Sequence, residues 1–262
     1  MTTHIYLINL DGSDERLASA TGQLVAQGIA FERVAAVDGR AGVDQFGDLY
    51  DAARARAYMG RELRGGELGC YLSHVRCAER FLATDAPYAI VLEDDMQMLQ
   101  PLAPLVAMAV DWLERHGHSG WDVFNIGNQK LKIFTPLTGF GPEYPGVRLA
   151  RAHYFPMTTT GLVWSRAGAQ AFIETSGRIF CPVDNFLRHW QTRRNTGYCF
   201  WPPLLTTTGS ESQIDGAAAQ AASRARVSGQ RSSQGRQWHY GLAKQRRLWL
   251  DKLIAARHKW LG

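Results

Sequence analysis

The start of the chain constrains the fold more than any other stretch. Residues 4–10, "HIYLINL", have the β-branched and aliphatic composition of a strand, and residues 31–37, "FERVAAV", repeat it. Between them, Ser13 is a candidate helix N-cap, two acidic residues follow it, and Gly28 marks the end of a helix. Because strand–helix–strand is the usual start of a parallel sheet, we predict an α/β fold.

The later sequence continues this alternation. Apolar periodicity predicts helices at 66–83, from Pro101 or Pro104 to Gly117, at 166–175 and at 184–194. Strand-like stretches occur at the start of 88–99, at 121–127, at 153–165 (broken by a turn) and at 197–208. We expect residues 40–66 to be irregular and 128–150 to form a loop.

Composition divides the chain into three parts. Residues 1–208 are predicted to form one α/β domain with a mostly parallel sheet flanked by helices. Residues 209–236 are rich in Ser, Gly, Ala and Gln, which indicates a flexible, low-complexity loop or lid. Residues 237–262 are predicted to form a basic amphipathic helix. Its apolar face would consist of Trp238, Leu242, Trp249, Leu253, Ala256 and Trp260.

The positive charge is concentrated at the C-terminus. Residues 224–262 contain ten Lys and Arg residues and one acid, so the preceding part has 19 basic and 23 acidic residues. A basic segment on an acidic body implies an anionic partner: a membrane surface, a phosphorylated glycolipid or nucleic acid.

Neither end of the chain shows a membrane or export signal. No basic start precedes a long apolar run, and no run of 18 apolar residues exists, so we expect no signal peptide and no spanning helix. The four cysteines lack metal-binding spacing and are typical of reduced thiols in a cytoplasmic protein.

Three adjacent carboxylates follow the apolar run in "YAIVLEDDMQML". Glu93, Asp94 and Asp95 would lie at the carboxyl end of a strand, where open α/β sheets bind ligands. Carboxylate oxygens suit Mn²⁺ or Mg²⁺, which bind through one or two carboxylates and substrate phosphates. Taken alone, the triplet favours the structural alternative, which is a hydrated strand end or a set of caps for the next helix.

Four ordered motifs resemble glycosyltransferase family 25: "IYLINLDGSDER", "FERVAAVDGR", "GELGCYLSH" and "YAIVLEDD". The resemblance is strong over about residues 4–100 and continues more weakly to about residue 214. It implies a GT-A-like, Rossmann-related fold, a nucleotide-sugar donor, a divalent metal (Mn²⁺ or Mg²⁺) and inversion at the anomeric carbon. The family is known for bacterial lipopolysaccharide and lipooligosaccharide sugar transferases. We therefore expect transfer of a hexose, by preference galactose from UDP-galactose, onto such an acceptor.

The resemblance also assigns the metal site and part of the donor site. Asp95 matches the metal ligand of a DxD-like motif, Glu93 is a secondary ligand, and Asp94 lies beside them. Asn9 and Arg16 belong to the first strand–helix turn, where nucleotide binding is expected. Arg16 could instead pair with Asp14 or Glu15.

Two further motifs supply donor-site candidates. Asp38 and Gly39 either contact the nucleotide or only form the tight turn that glycine permits. Glu67, Ser73 and His74 share a helix face, although a lone histidine in such a helix is more often structural.

Inversion requires a base for the acceptor hydroxyl. Asp184 in "CPVDNFL" is the candidate catalytic residue, with a helix N-cap as its alternative role, and Asp122 is a weaker candidate. His239 could complete a metal shell.

Several alternatives remain at the level of sequence. The enzyme could use another UDP-sugar, or a protein or small saccharide as acceptor, and a non-catalytic nucleotide-sugar or glycolipid-binding protein could keep the same fold. Residues 224–262 could contact the inner face of the inner membrane peripherally while the protein remains cytoplasmic. Nucleic-acid binding is disfavoured, because these residues match no known motif.

Overall fold

The computed structural model describes residues 3–128, 130–208 and 238–261, without the side chains of residues 238 and 239. The strands are β1 (His4–Asn9), β2 (Glu32–Ala35), β3 (Tyr88–Glu93), β4 (Met96–Met98), β5 (Val123–Asn125), β6 (Phe134–Gly139), β7 (Arg148–Ala152), β8 (Gly161–Ser165), β9 (Gly197–Trp201) and β10 (Leu205–Thr207). The helices are α1 (Asp14–Ala26), α2 (Ala52–Met59), α3 (Gly65–Leu82), α4 (Leu102–Arg115), α5 (Arg166–Thr175), α6 (Val183–Arg194) and α7 (Trp238–Leu261), with a 3₁₀ helix at Asp44–Leu49.

One large sheet organises this part of the chain. Within the described residues it has eight strands in the order β2-β1-β3-β8-β5-β9-β7-β6, and β4 pairs separately with β10. The pairings give six strands a common direction, whereas β8 and β7 run the opposite way. The predicted α/β fold with a mostly parallel sheet flanked by helices is confirmed.

Apolar side chains cover both faces of the sheet. One cluster joins alternate residues of the strands, such as Tyr6 and Val91, to α3, α5 and α6. The other joins Leu7, Ile90 and their neighbours to α1 and α4. Because successive residues of a strand point to opposite faces, a strand covered on both faces needs the unbroken apolar runs seen in β1 and β3.

The first two crossovers create a crevice. β1 pairs in parallel with β2 on one side and with β3 on the other, so the chain leaves β1 first to one side and then to the other. At such a switch point the connecting loops diverge, and the carboxyl ends of β1 and β3 face an open space.

The expected loop at 128–150 was wrong, because this region contains β6 and the beginning of β7. Proline and glycine obscured β6, which includes Pro136 and a register shift between Pro136 and Thr138. Since β6 is the last strand of the sheet, an N–H there is not needed by a further neighbour, and proline is tolerated.

The expected irregular region at 40–66 was also wrong in part, because it contains the 3₁₀ helix and α2. The boundaries of α2 follow standard capping rules. Asp51 accepts a hydrogen bond from the Arg54 backbone N–H at the N-terminus, and Gly60 has a left-handed φ of 72° at the C-terminus.

Helix α7 covers Trp238–Leu261, and several residues of the predicted apolar face are exposed. Asp251 and Ala255 are buried, whereas Leu242, Trp249 and Trp260 are 62%, 65% and 78% exposed. The predicted loop at 209–236 lies outside the described residues. No helix in the described ranges is long and apolar enough to cross a membrane.

Candidate functional site

A cleft of about 180 Å³ opens at the carboxyl ends of β1, β2 and β3. Its lining comes from the end of β1, the loop after β2, the first turns of α3 and the acidic triplet after β3. Among the predicted site residues, the lining includes Arg16, Asp38, Gly39, Ser73, Glu93, Asp94 and Asp95. The sequence motifs thus meet in one place, although they are up to 85 residues apart.

Glycine shapes one wall of the cleft. A Cβ atom on Gly39 would lie 2.0 Å from the Gly65 carbonyl oxygen, and a Cβ on Gly69 would lie 2.3 Å from the Val37 oxygen. The loop after β2 can therefore lie directly against the start of α3 only without these side chains. Gly39 serves this close approach, and its φ is not in the left-handed region.

Arg16 and Asn9 hold Asp94. Arg16 Nη1 lies 3.2 Å from Asp94 Oδ1, and Asn9 Nδ2 donates to Asp94 Oδ2 at 2.7 Å. Both carboxylate oxygens of Asp94 are therefore engaged. Arg16 pairs with this triplet and not, as the alternative interpretation had it, with Asp14 or Glu15. Asn9 is buried and contributes to the cleft through its hydrogen bond to Asp94.

Asp95 differs from Asp94 because the described residues contact only one of its two carboxylate oxygens. Thr207 donates to its Oδ2 at 3.0 Å, and Arg16 Nη2 lies 3.9 Å from the same oxygen. Its Oδ1 is buried and has no hydrogen-bond partner in the described part of the chain. Burial raises the pKa of Asp95, and the Glu93 charge raises it further. Desolvated and repelled, this carboxylate is suited to a cation.

Glu93 is anchored from the opposite side. His74 Nε2 lies 2.9 Å and Thr159 Oγ1 2.7 Å from Glu93 Oε1, with the Cys70 thiol at 3.6 Å. Burial acts to raise the pKa of Glu93, but these hydrogen bonds outweigh it and hold the pKa below its usual value. Glu93 is therefore an oriented carboxylate at neutral pH.

Cys70, His74 and Glu93 also form a possible metal-ligand cluster, with ligand atoms within 4.8 Å of one another. Burial raises the pKa of the Cys70 thiol well above its usual value, and the Glu93 charge adds to this. A protonated thiol is a poor metal ligand, whereas Mn²⁺ and Mg²⁺ prefer oxygen. The geometry therefore favours a hydrogen-bonded support for Glu93.

The remaining donor-site candidates differ in position. Asp38 lines the cleft and is held by Arg40, whose hydrogen bonds lower the pKa of Asp38. Ser73 also lines it and accepts from the Val37 backbone N–H at 2.8 Å.

Glu67 and His74 lie behind the cleft wall. Glu67 accepts from Arg61 and from the Arg64 backbone N–H, which completes a capping box at the start of α3. His74 is fully buried, and its contact with the site is through Glu93.

Asp184 lies in the first turn of α6, close to the triplet. Pro182 is the N-cap of this helix, so Asp184 does not have the alternative role of N-cap. Its Oδ1 accepts from the Asn185 backbone N–H at 2.6 Å. Burial is the main cause that raises the pKa of Asp184, and the Glu93 charge also contributes.

Asp122, the weaker candidate for a base, lies at the amino end of β5. Its carboxylate accepts hydrogen bonds from Arg194, Gln191 and Thr196, with Arg194 Nε at 2.6 Å and Gln191 Nε2 at 3.0 Å. This group joins α6 to the sheet at the edge opposite the cleft. The His239 side chain lies outside what the structure describes.

Residues 2–187 match the family model for glycosyltransferase family 25 (LPS biosynthesis protein). The chain belongs to glycosyltransferase family 25. The prediction drawn from the four ordered motifs is confirmed at this level.

Family 25 relatives come from animals as well. The chain is 30% identical over 190 residues to a glycosyltransferase 25 family member of Aedes aegypti, covering 71% of this chain and 30% of that protein. It is 27% identical over 194 residues to human procollagen galactosyltransferase 2, covering 70% and 29%. A rat protein named probable inactive glycosyltransferase 25 family member 3 is 28% identical over 211 residues, covering 76% and 35%. The chain thus spans about a third of the length of the curated relatives it matches.

Two residues that contact the acidic triplet were not predicted. Thr159 orients Glu93 and Thr207 contacts Asp95, and both come from the second half of the chain. The sequence predicts a strand broken by a turn at 153–165, and the weaker part of the family resemblance includes "TTTGLVWSRAGAQAF", but no site residue was predicted there. The run of hydroxyl side chains in this stretch, directly before an apolar strand, was the available signal.

Proposed function

We propose that the protein transfers a hexose, by preference galactose from UDP-galactose, to a saccharide acceptor with inversion at the anomeric carbon. The observation that carries the proposal is the half-satisfied Asp95 carboxylate in a cleft at the switch point of the sheet. Family membership and relatives named procollagen galactosyltransferases support it.

The donor would bind in the cleft. Gly39 in the loop after β2 and Gly66 in the first turn of α3 both line the cleft, so backbone without side chains would face the nucleotide there. Arg16 is placed to contact the diphosphate while it holds Asp94. Asp38 lies at the rim and offers carboxylate oxygens to ribose hydroxyls.

The residues present fit a divalent cation. Asp95 offers a buried Oδ1 that no described residue contacts by a hydrogen bond, and Glu93 presents an oriented carboxylate in the same cleft. These two residues would hold Mn²⁺ or Mg²⁺. When bound, the metal would offset negative charge on the departing UDP.

Asp184 is proposed to accept the proton of the attacking acceptor hydroxyl. Its raised pKa makes it a stronger base than an exposed aspartate, provided the pH lies above that pKa. Glu93, held in its anionic form by His74 and Thr159, keeps the charge of the site fixed as the proton moves.

A panel of nucleotide sugars tests the proposal. UDP release should occur with UDP-galactose and depend on Mn²⁺ or Mg²⁺, and UDP-glucose and UDP-N-acetylglucosamine report on donor preference. Asp95→Ala should abolish the metal-dependent rate, whereas Asp85→Asn at an exposed position should not change it. Turnover that is unaffected by Asp95→Ala would remove the metal role.

A second candidate is a protein that binds a nucleotide sugar without turning it over. The relative named probable inactive favours it, because the fold can persist in a protein of that description. Tight binding of UDP-galactose, with no UDP release in the presence of bacterial lipopolysaccharide or lipooligosaccharide or simple saccharide acceptors, would establish this function instead.

We further propose a cytoplasmic enzyme that acts on lipopolysaccharide or lipooligosaccharide at the inner face of the inner membrane. The exposed stripe of Leu242, Trp249, Leu253 and Trp260 on α7 supports this location. Exposed cationic residues, including Lys252 and Lys259, flank the stripe. Aromatic and basic residues together suit the interface of an anionic bilayer.

Vesicle sedimentation tests the membrane contact. Vesicles with anionic lipid should bind the protein more strongly than neutral vesicles, and Trp249→Ser/Trp260→Ser should weaken binding. Val25→Ser/Leu49→Ser removes exposed apolar side chains elsewhere and serves as the control. Equal binding by all three proteins would rule out the stripe.

A further inference from the structure

A second pocket, which we call the basic pocket, is connected to the donor cleft by the segment that precedes β8. It has a volume of about 230 Å³, and its lining includes Lys130, Lys132, Tyr154, Thr158 and Arg188. Thr158 is followed by Thr159, which hydrogen-bonds Glu93, and by Thr160, whose carbonyl oxygen accepts from the Glu93 backbone N–H at 3.0 Å. One short segment therefore borders both spaces.

The three cations of the basic pocket lack carboxylate partners. No carboxylate oxygen of a described residue lies within 4.0 Å of Lys130, Lys132 or Arg188. The Nε of Arg188 is also buried with no hydrogen-bond partner in the described part of the chain. A buried donor without a partner is costly, and an incoming acceptor atom would satisfy it.

An aromatic ring fixes two of these cations. The Arg188 guanidinium lies 5.2 Å and the Lys132 ammonium 5.7 Å from the centre of the Tyr154 ring. Cation–π attraction to one ring holds the two positive side chains near each other, although their like charges repel. The arrangement is therefore prepared for an anion that lies between the two side chains.

The backbone of the basic pocket is strained. Thr158 has a φ of 93°, which is a genuine outlier for a β-branched residue. Asn125 Nδ2 donates to the Thr158 carbonyl oxygen at 2.8 Å, and the Thr158 hydroxyl donates to Gly127 at 3.2 Å. Such strain persists where the surroundings impose it, commonly at ligand sites.

Helix α6 carries both the proposed base, Asp184, and a residue of the basic pocket, Arg188. Asp184 lies one turn before Arg188, and the positive charge of Arg188 acts on Asp184. The Glu93 charge acts on the same carboxylate from the side of the donor cleft. Arg188 of the basic pocket therefore lies on the same helix as the proposed base, one turn away from it.

We propose that the basic pocket binds an anionic group, phosphate or carboxylate, on the saccharide acceptor. Lys130, Lys132 and Arg188 would neutralise the anion and so place a nearby hydroxyl beside Asp184. The inference rests on the proposed transferase function, since it names the chemical class of the acceptor.

Binding of simple sugars tests the proposal without turnover. Glucose 6-phosphate, glucuronate and glucose serve as probes, and their dissociation constants are measured by calorimetry in the presence and absence of saturating UDP and Mn²⁺. We expect at least one charged sugar to bind about tenfold or more tightly than glucose, because hydrogen bonds to charged groups are the stronger ones. The tighter of the two identifies phosphate or carboxylate as the group. UDP should not displace it.

Charge-matched variants locate the binding. Lys130→Gln/Lys132→Gln should weaken the charged probe about tenfold and leave UDP affinity unchanged, whereas Lys244→Gln/Lys252→Gln on α7 should alter neither. Arg188→Lys, which keeps the charge but removes the planar donor fork, should weaken the probe as well. Circular dichroism verifies folding of each variant.

Three results would overturn the proposal. These are equal affinities for charged sugars and glucose, displacement of the charged sugar by UDP, and an affinity that Lys130→Gln/Lys132→Gln does not change. Failure of the transferase proposal is seen separately, as absent UDP release from a protein that still binds the charged sugar in the basic pocket.

Discussion

Two buried aspartates in different regions of the molecule have opposite surroundings. Asp251, on α7, accepts from His189 Nδ1 at 3.2 Å and from Arg193, and these hydrogen bonds overcome the effect of burial and hold its pKa below the usual value. Asp95, after β3, has one orphaned oxygen, and burial raises its pKa. One carboxylate stabilises a junction between helices, and the other costs stability.

The difference separates structural carboxylates from candidate functional ones. Asp122 belongs with Asp251, because arginine, glutamine and threonine satisfy it. Within the acidic triplet, Asp94 and Glu93 are engaged by the protein, and Asp95 is left to a ligand. An unsatisfied buried oxygen needs an explanation, and among the described residues this supports the proposal of a cation site at Asp95.

The largest expected effect is on catalysis. Asp95→Asn should lower kcat/KM with UDP-galactose roughly 10²–10³-fold, because the neutral amide would hold more weakly the divalent cation proposed to offset charge on the departing diphosphate. The matched change Asp251→Asn should leave kcat/KM of the folded protein nearly unchanged. Steady-state kinetics of both variants measure the contrast, and similar losses in the two would break the comparison.

Asp184 should show its raised pKa in the pH profile. The rate should fall as the pH decreases through that pKa, at a higher pH than an ordinary aspartate would give, because the base becomes protonated. Asp184→Asn should lower kcat about 100-fold and remove this acid limb. A profile that keeps its acid limb in Asp184→Asn would assign the proton transfer to another group.

Asp251→Asn should mainly affect stability. We expect a loss of about 1 kcal/mol in the free energy of unfolding, discounted because Arg193 is 39% exposed. Since the folded pKa of Asp251 is lowered, its contribution is present above the unfolded pKa and is lost as pH falls through the folded pKa. Urea unfolding across acidic pH should therefore show wild type and variant converging.

The smallest expected effect is an increase in the free energy of unfolding. Asp95→Asn should raise the free energy of unfolding by roughly 0.5–1 kcal/mol without metal, because the folded pKa is raised and the ionised form is disfavoured at neutral pH. Mn²⁺ should raise the Tm of wild type more than that of the variant. A variant less stable than wild type would show that the orphaned oxygen is better compensated than its contacts indicate.

Local patterns were enough to predict the elements that build the cleft. The apolar runs of β1 and β3 and the period of α3 are properties of single segments. β6 was missed because a strand at the edge of a sheet is half-exposed and tolerates Pro136. α2 was missed although Asp51 and Gly60 gave ordinary capping signals.

The site was predicted less completely, because tertiary contacts decide it. The sequence placed the triplet at a strand end but could not show which of its three carboxylates the protein itself satisfies. His74 faces inward to Glu93, 19 residues along the chain, and Glu67 pairs with Arg61, six residues before it. The helical period of the motif determines neither contact. The fold brings Lys130, Lys132 and Arg188 to one pocket from separate segments of the chain. No local sequence pattern therefore predicts that they share it.

All the described residues that line the donor cleft lie between Ile8 and Asp95. Because chains are synthesised from the N-terminus, these residues are made before β5 to β9, and Thr159 and Thr207, which hold Glu93 and Asp95, are made later. Since a domain generally folds as a unit, the cleft depends on the completed sheet for its final arrangement of charge. A fragment that ended after Asp95 would contain every described residue of the lining without the contacts that fix its carboxylates.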